Sequence, residues 1–285
     1  MNGMKQINLQ DYGLNRNFIT QSMEYHDLYL ARIISQEKNF YQAVCVNGVL
    51  FAEVSGKLRF EATIQSDFPT VGDFVMLDRC NNKNGNAIIH HVLHRKSLFV
   101  RKAAGKVNEE QVVAANIDIV FLCMSLNKDF NIHRLERYLS LTWESGAIPV
   151  VVLTKSDLCD NVHRKLQVVN SIALGVDVVV TSSIEPDGYK QISKYIKSGC
   201  TVALLGSSGV GKSSLIKCLL GGEFLNTKEI RIDDDKGRHA TTRRELFLIS
   251  GGGIVIDTPG MRELGMWDVS EGLDKSFADI EAYFG

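Results

Sequence analysis

Eight consecutive residues, Gly206-Ser207-Ser208-Gly209-Val210-Gly211-Lys212-Ser213, carry the spacing G-x-x-x-x-G-K-[ST]. In that pattern the glycines let the backbone curl until its N–H groups face a phosphate, and a helix starting there adds a partial positive charge. Lys212 is expected to reach the β- and γ-phosphates of a nucleoside triphosphate and the Ser213 hydroxyl to ligate Mg²⁺, with the phosphate loop running on to Ser214. The motif requires a strand before it and a helix after it. An apolar run at 200–205 (CTVALL) precedes it, and KSSLIKCLL follows and ends at Gly221-Gly222. A glycine-rich turn with a chance lysine has the spacing but not that context.

A phosphate loop specifies a nucleoside triphosphate without its base. Thr154-Lys155-Ser156-Asp157, just after the apolar run 148–153, resembles the guanine-reading N/T-K-x-D motif. A carboxylate at Asp157 accepts from both N1–H and the 2-amino group of guanine, whereas adenine leaves it unpaired, at a cost of about 1–3 kcal/mol or more. Thr154 stands where asparagine is commoner, and a hydroxyl supplies only part of that side chain's bonding; a Lys/Asp pair after a strand is equally the composition of a solvated loop. Thr181-Ser182-Ser183, after the next apolar run, suits the small loop that backs the guanine ring, and is also an ordinary turn composition. Downstream, Lys236-Gly-Arg-His-Ala-Thr241-Thr242-Arg-Arg leads into an expected hairpin of ELFLI (245–249) and IVID (254–257), followed by Asp257-Thr-Pro-Gly260. A switch threonine, Thr241 or Thr242, is expected on Mg²⁺, with Asp257 holding the water shell of the metal and the Gly260 N–H at the γ-phosphate. Any one of these loops is common; all five in one chain point to a GTPase binding GTP, GDP and Mg²⁺.

The elements that must position these loops are legible as apolar rhythm. Runs at 117–124, 148–153, 176–181 and 200–205 alternate with helical patterns at 133–145, near 161–173 and near 188–198. Continuous apolar strands separated by helices predict a parallel α/β sheet covered on both faces. Helix 133–145 is expected to bury Leu135, Tyr138, Leu139 and Thr142. The loops fall in a rotated order, from the base loop through the phosphate loop to D-x-P-G, whereas ordinary GTPases begin at the phosphate loop. Every loop still leaves the same sheet edge, so the arrangement reads as a circularly permuted Ras-like P-loop GTPase, its old terminal join covered by the helix near 188–198. Upstream, residues 28–96 hold five short strand patterns (LYLARIISQ, FYQAVCV, VLFAEVSG, DFVMLDR, NAIIHHVL) punctuated by turn signals. That density predicts a small barrel of OB type and leaves an SH3-like one open. The fold class is therefore α/β with an all-β N-terminal domain. Expected boundaries are an extension at 1–27, the barrel at 28–100, a polar connector at 101–116, the GTPase domain at 117–270 and the start of a C-terminal segment at 271–285.

Composition narrows the class further. A 45% hydrophobic content over 285 residues fills a core, and a formal net charge of −1 demands neither nucleic acid nor membrane. The six cysteines show no C-x-x-C pair, which argues against a zinc site or a disulfide framework. The N-terminus has no apolar leader pattern and no run reaches the length of a membrane span, so a cytoplasmic protein without membrane attachment is expected. HHVLHRK (90–96) with Arg101, Lys102 and Lys106 forms one basic cluster; Arg231, Lys236, Arg238, Arg243 and Arg244 form another, diluted by Asp233-Asp234-Asp235. Either is an RNA-facing patch or a solvated face.

A barrel followed by G-R-H-x-T-T-x-R-E-L and I-D-T-P-G-M-R-E-L-G resembles the ribosome small-subunit-dependent GTPase family, RsgA/YjeQ, from the PTVGDFV segment (69–75) to about Tyr283. The resemblance implies GTP hydrolysis in late maturation of the 30S subunit, binding to ribosomal RNA through the barrel, and slow turnover that the subunit stimulates. The expected partners are the 30S subunit and its rRNA, not DNA, for a protein acting as a monomer. The chain departs from the family at Ala240, where another threonine is usual, and at its end. The family continues into a Cys/His zinc module after the segment matching FADIEAYFG, so zinc is assigned to no residue here. Ras-like enzymes orient the attacking water with a glutamine after the D-x-x-G glycine. Met261 occupies that position, which leaves His239 as the candidate catalytic group beside Lys212, or as a contact to RNA phosphate. Two other readings stay open: a nucleotide-gated RNA-binding module with incidental hydrolysis, and a P-loop ATPase or small-molecule kinase, which T-K-S-D and D-T-P-G together disfavour.

Overall fold

The computed structural model of the chain describes residues 6–37, 40–83, 85–102, 110–182, 184–185, 188–219, 244–249 and 252–257. After helix α1 (Arg16–Ser22), the first five strands are β1 (Tyr29–Gln36), β2 (Tyr41–Cys45), β3 (Gly48–Val54), β4 (Phe74–Leu77) and β5 (Ala87–Val92), with the short helix α2 (Gly56–Glu61) between β3 and β4. Their order is β1-β2-β3-β5-β4, and β4 pairs back onto β1, which closes the barrel. This closed five-stranded path, with its parallel β3–β5 pair, is of OB type and removes the SH3-like alternative. Alternate residues point inward, as the period of two requires: Ala31 and Ile33, Ala43 and Cys45, Leu50 and Ala52, Val75 and Leu77, Ala87 and Ile89 make one core cluster. α1, capped by the Asn15 side chain, inserts Phe18 against Phe74 with ring centroids 4.2 Å apart.

The second half is built on β8 (Ile119–Ser125), β9 (Ile148–Thr154), β10 (Asp177–Val180), β11 (Thr201–Leu205), β12 (Arg244–Leu248) and β13 (Ile254–Asp257). Their order is β10-β9-β8-β11-β13-β12, all parallel except β12, which forms an antiparallel pair with β13. The apolar strands serve two cores. Val120, Leu122 and Met124 of β8 face one side with α3 (Ile132–Glu144) and α4 (Val162–Ile172), while Phe121 and Cys123 face the other with α6 (Lys212–Leu219). The face of α3 that is buried consists of Leu135, Tyr138, Leu139 and Thr142, as its periodicity predicts. Each of its two leucines contributes roughly 1.5–3 kcal/mol by leaving water.

Two segments differ from their sequence patterns. The polar stretch 101–116 contributes to an antiparallel hairpin of β6 (Leu98–Lys102) and β7 (Glu110–Ala115). Its Val112, Val113, Ala114 and Ala115 are buried, with Val113 and Ala114 in the same core as Val71 and Phe99. The helix expected near 188–198 is only α5 (Lys190–Ser193). Beyond it Tyr195, Ile196 and Cys200 bond back three residues, to Ile192, Ser193 and Lys197, so the chain tightens into turns around two apolar anchors, Ile192 and Ile196.

The barrel and the α/β sheet are continuous. β1 pairs with β12 through Ser35↔Glu245 and Gln36↔Arg244. At the junction lies Arg32, only 1% exposed, whose guanidinium donates to the carbonyls of Tyr12 (2.6 Å), Gly72 (3.1 Å) and Asn116 (3.4 Å) and to Thr201 Oγ1 (3.1 Å). Asn116, buried with φ 57°, adds its own amide bond to the Gly72 carbonyl at 3.1 Å.

Candidate functional site

The C-terminal ends of the parallel strands present their loops along one edge, where open α/β sheets bind ligands. β11 runs straight into the loop 206–211, and α6 begins at Lys212. Gly206 is buried where an added Cβ would lie 2.4 Å from the Cys123 carbonyl of β8, and Gly211 turns with φ 104°. Lys212 is itself buried, and its ammonium donates to the Gly206 carbonyl at 2.6 Å and to the Ser207 carbonyl.

The candidate base loop, 154–157, is fastened to the candidate phosphate loop, 206–211, at successive residues. Thr154 Oγ1 donates to the Val210 carbonyl at 2.6 Å, and Lys155 Nζ to the Gly209 carbonyl at 2.7 Å. Lys155 adopts the left-handed conformation (φ 57°), which starts the short turn Ser156–Leu158. Asp157 is exposed, with one carboxylate oxygen accepting from Ser182 Oγ at 2.5 Å. Ser182 is fully buried after β10, and the Thr181 hydroxyl donates to the Gly188 carbonyl. The threonine at 154 thus makes a bond to the phosphate loop that a hydroxyl is able to make.

Ser213, half-buried in the first turn of α6, and Asp257, at the end of β13 next to β11, are oxygen donors at this same edge. A hydroxyl and a carboxylate are hard ligands of the kind Mg²⁺ takes, and the chemistry of this pair fits it. Among the described residues no group of three or more His, Cys, Asp or Glu is arranged to hold a metal ion. Ser208, exposed, and Gly209 line the outer rim of the loop, and Ser214 is exposed on α6. His239, Thr241, Thr242, Gly260 and Ser183 lie outside the described residues.

Asp129, which the sequence pattern did not single out, lies against the candidate site. It lies in the loop after β8 and accepts from Ser207 Oγ of the phosphate loop and from Arg134 Nη1 at 2.9 Å. Burial pushes its carboxyl up, but those two donors outweigh it and hold it below the usual carboxylate range. Asn127-Lys-Asp-Phe-Asn131 reads as a turn with a helix cap; the available signal was its position, following an apolar strand at the edge that carries every other loop.

The first basic cluster is partly engaged internally. Arg95 bonds Asp73 at 2.7 Å and the Phe68 carbonyl at 2.8 Å, Lys96 bonds Asp118, and His91 stacks on Tyr25 with centroids 4.4 Å apart. His94 remains exposed. Arg101, Lys102 and Lys106, and Arg231 through Arg243, fall outside the side chains described.

The sequence profile of the RsgA GTPase family matches residues 92–267. The small ribosomal subunit biogenesis GTPase RsgA 2 of Lactiplantibacillus plantarum is 44% identical over 276 residues, 97% of this chain and 77% of that protein. The small ribosomal subunit biogenesis GTPase RsgA 1 of Listeria innocua is 41% identical over 273 residues, 96% of this chain and 76% of that protein. Among solved structures, YjeQ from Thermotoga maritima superposes with a TM-score of 0.62 at 23% identity, covering 89% of this chain and 92% of that one. YloQ, described as a circularly permuted GTPase, superposes with a TM-score of 0.58 at 24% identity, covering 87% and 76%. Barrel, rotated loop order and relatives agree, and the chain belongs to the RsgA GTPase family.

Proposed function

We infer that the protein hydrolyses GTP to GDP and acts in biogenesis of the small ribosomal subunit. The observation that carries the reading is the fastening of the loop 154–157, which has the guanine-reading pattern, to the loop 206–211, which has the phosphate-binding one: Thr154 on Val210 and Lys155 on Gly209, with Asp157 held by Ser182. The two loops would thereby meet the base and the phosphates of one nucleotide together. In this reading Asp157 pairs with the N1–H and 2-amino edge of guanine, and the loop 206–211 surrounds the phosphates. Lys212 moves from the Gly206 and Ser207 carbonyls to the β- and γ-oxygens. Ser213, with Thr241 or Thr242, would hold Mg²⁺ and Asp257 its water shell, and the charge of the ion would offset that of the phosphates. Gly260 would donate to the γ-phosphate.

The partner follows from the relatives named as small ribosomal subunit biogenesis GTPases. The barrel is the surface proposed to meet ribosomal RNA, and such a partner puts the protein, as a monomer, in the cytoplasm. Met261 offers the attacking water no useful hydrogen bond, so free turnover is slow and small subunits accelerate it, with His239 the proposed water-orienting group. Steady-state hydrolysis of GTP and ATP, with and without purified 30S particles, tests the reading. GTP-selective turnover that rises with 30S is expected. Equal use of ATP, or indifference to the particle, overturns it. His239→Ala should remove most of the stimulated rate, about 10²–10⁴-fold, with 30S binding intact; weaker 30S binding with full rate at saturation would mark an RNA contact instead.

A further inference from the structure

The phosphate loop is held from two sides. On one side is the base loop. On the other is the segment between β8 and α3, which reaches the loop through Asp129. That segment is itself built to stand firm. Asn127 Oδ1 accepts from Ser125 Oγ at 2.8 Å and from the Asp129 backbone N–H at 3.0 Å. Lys165 of α4 donates to the Leu126 carbonyl at 2.7 Å and lies 5.0 Å from the centre of the Phe130 ring. Asn131 caps α3, and Arg134, one turn in, takes the Asp129 oxygen that Ser207 does not. Asp129 is thus a pre-oriented acceptor, fixed by bonds that involve no part of the phosphate loop.

Ser207 is the point at which this support enters the loop. Its hydroxyl donates to Asp129 Oδ2, and its carbonyl accepts the Lys212 ammonium. A displacement of the Ser207 backbone would strain both bonds at once.

We propose that Asp129 is a positioning residue for nucleotide binding, acting through Ser207 to fix the part of the phosphate loop that holds the Lys212 ammonium. The proposal rests on the GTPase reading of this loop. Charge-assisted hydrogen bonds are the strong ones, and Asp129 is placed so that neither of its oxygens is idle.

The test is a double-mutant cycle on the affinity of the full chain for a fluorescent GDP analogue, with Lys212→Ala as reference. Asp129→Ala and Ser207→Ala should each weaken binding by about tenfold or more, the scale of a charge-assisted bond. The double variant should be no weaker than either single one, and Ser207→Thr, which keeps the hydroxyl, should restore binding. A merely structural role for Asp129, through Arg134 and α3, would spare Ser207→Ala and leave the double variant equal to Asp129→Ala alone. That result overturns the proposal, even if Asp129→Ala alone folds poorly. It is also overturned by wild-type affinity in Asp129→Ala alongside loss in Lys212→Ala, which leaves the GTPase reading standing. Undiminished affinity in Lys212→Ala would remove the GTPase reading and the proposal together.

Discussion

Asp157 stands at the rim of the site with one oxygen held by Ser182 and the rest of its carboxylate open. An acceptor in that position is free to take donors from a base, which is the role proposed for it. Asp157→Asn replaces an acceptor by a donor, so the variant should lose GTP and gain xanthosine triphosphate, whose base accepts where guanine donates. Competition binding of the two nucleotides measures it, and unchanged GTP affinity removes the base-loop assignment. Ser213→Ala, deleting a hard oxygen ligand, should abolish hydrolysis most completely at limiting Mg²⁺; normal turnover there would exclude the serine as a ligand. Both residues were singled out in the sequence because their motifs encode chemistry that few residue types perform, and the fold sets both at the same sheet edge. Asp129 was not singled out. A carboxylate in a turn before a helix is a commonplace of capping, and only the fold brings it against Ser207 from 78 positions away.

At the scale of elements, legibility followed locality. The strands of the α/β sheet were readable because each is buried on both faces, so their sequences are continuous apolar runs. The barrel strands were readable as alternation, but its closure was not, since β1–β4 and β3–β5 join residues far apart in the chain. The hairpin β6–β7 was hidden by its polar ends, and the length of α5 by a pattern with too few anchors. One close approach between elements decides the shape of the site. Gly206 leaves β11 with its Cα facing β8, and the obstruction to a Cβ is the Cys123 backbone oxygen at 2.4 Å, which has no flexible end to swing aside. Gly206→Ala should therefore cost about 1–3 kcal/mol and tilt the phosphate loop. Thermal unfolding with and without GDP checks both effects. A ligand at a hundred times its Kd stabilises by about 2.7 kcal/mol, and this rise in Tm should vanish in the variant. A full GDP shift in Gly206→Ala would show that the loop tolerates the displacement.

At the scale of the whole molecule, Arg32 joins four parts of the chain: the N-terminal extension at Tyr12, the barrel at Gly72, the approach to β8 at Asn116 and the start of β11 at Thr201. The strand whose first residue it holds is the one that ends in the phosphate loop. Burial lowers its pKa to about 10, with Asp118 and then Asp73 favouring the charged form. A folded pKa below the unfolded one means that the cation is penalised by folding, and relief would come only as pH rises through about 10. Between pH 6 and 8 the guanidinium is charged in both states, so its contribution there is flat. What it supplies is hydrogen bonding. Gly72 keeps a second donor in Asn116, but removal of Arg32 strips the bonds it gives to the Tyr12 and Asn116 carbonyls. Each buried acceptor left open costs about 1–3 kcal/mol, partly offset by the desolvation no longer required. Arg32→Ala should therefore lower stability by about 2–4 kcal/mol, equally at pH 6 and pH 8. It should also loosen the barrel from the α/β sheet, since among the described residues the β1–β12 ladder that remains pairs only Ser35↔Glu245 and Gln36↔Arg244. Denaturant unfolding followed by separate reporters in the two halves gives the measurement. The wild-type chain should show one transition and Arg32→Ala two, the barrel parting from the sheet first. Two transitions already in the wild type, or an unchanged single midpoint in the variant, would show that Arg32 is not what makes the two halves unfold as one.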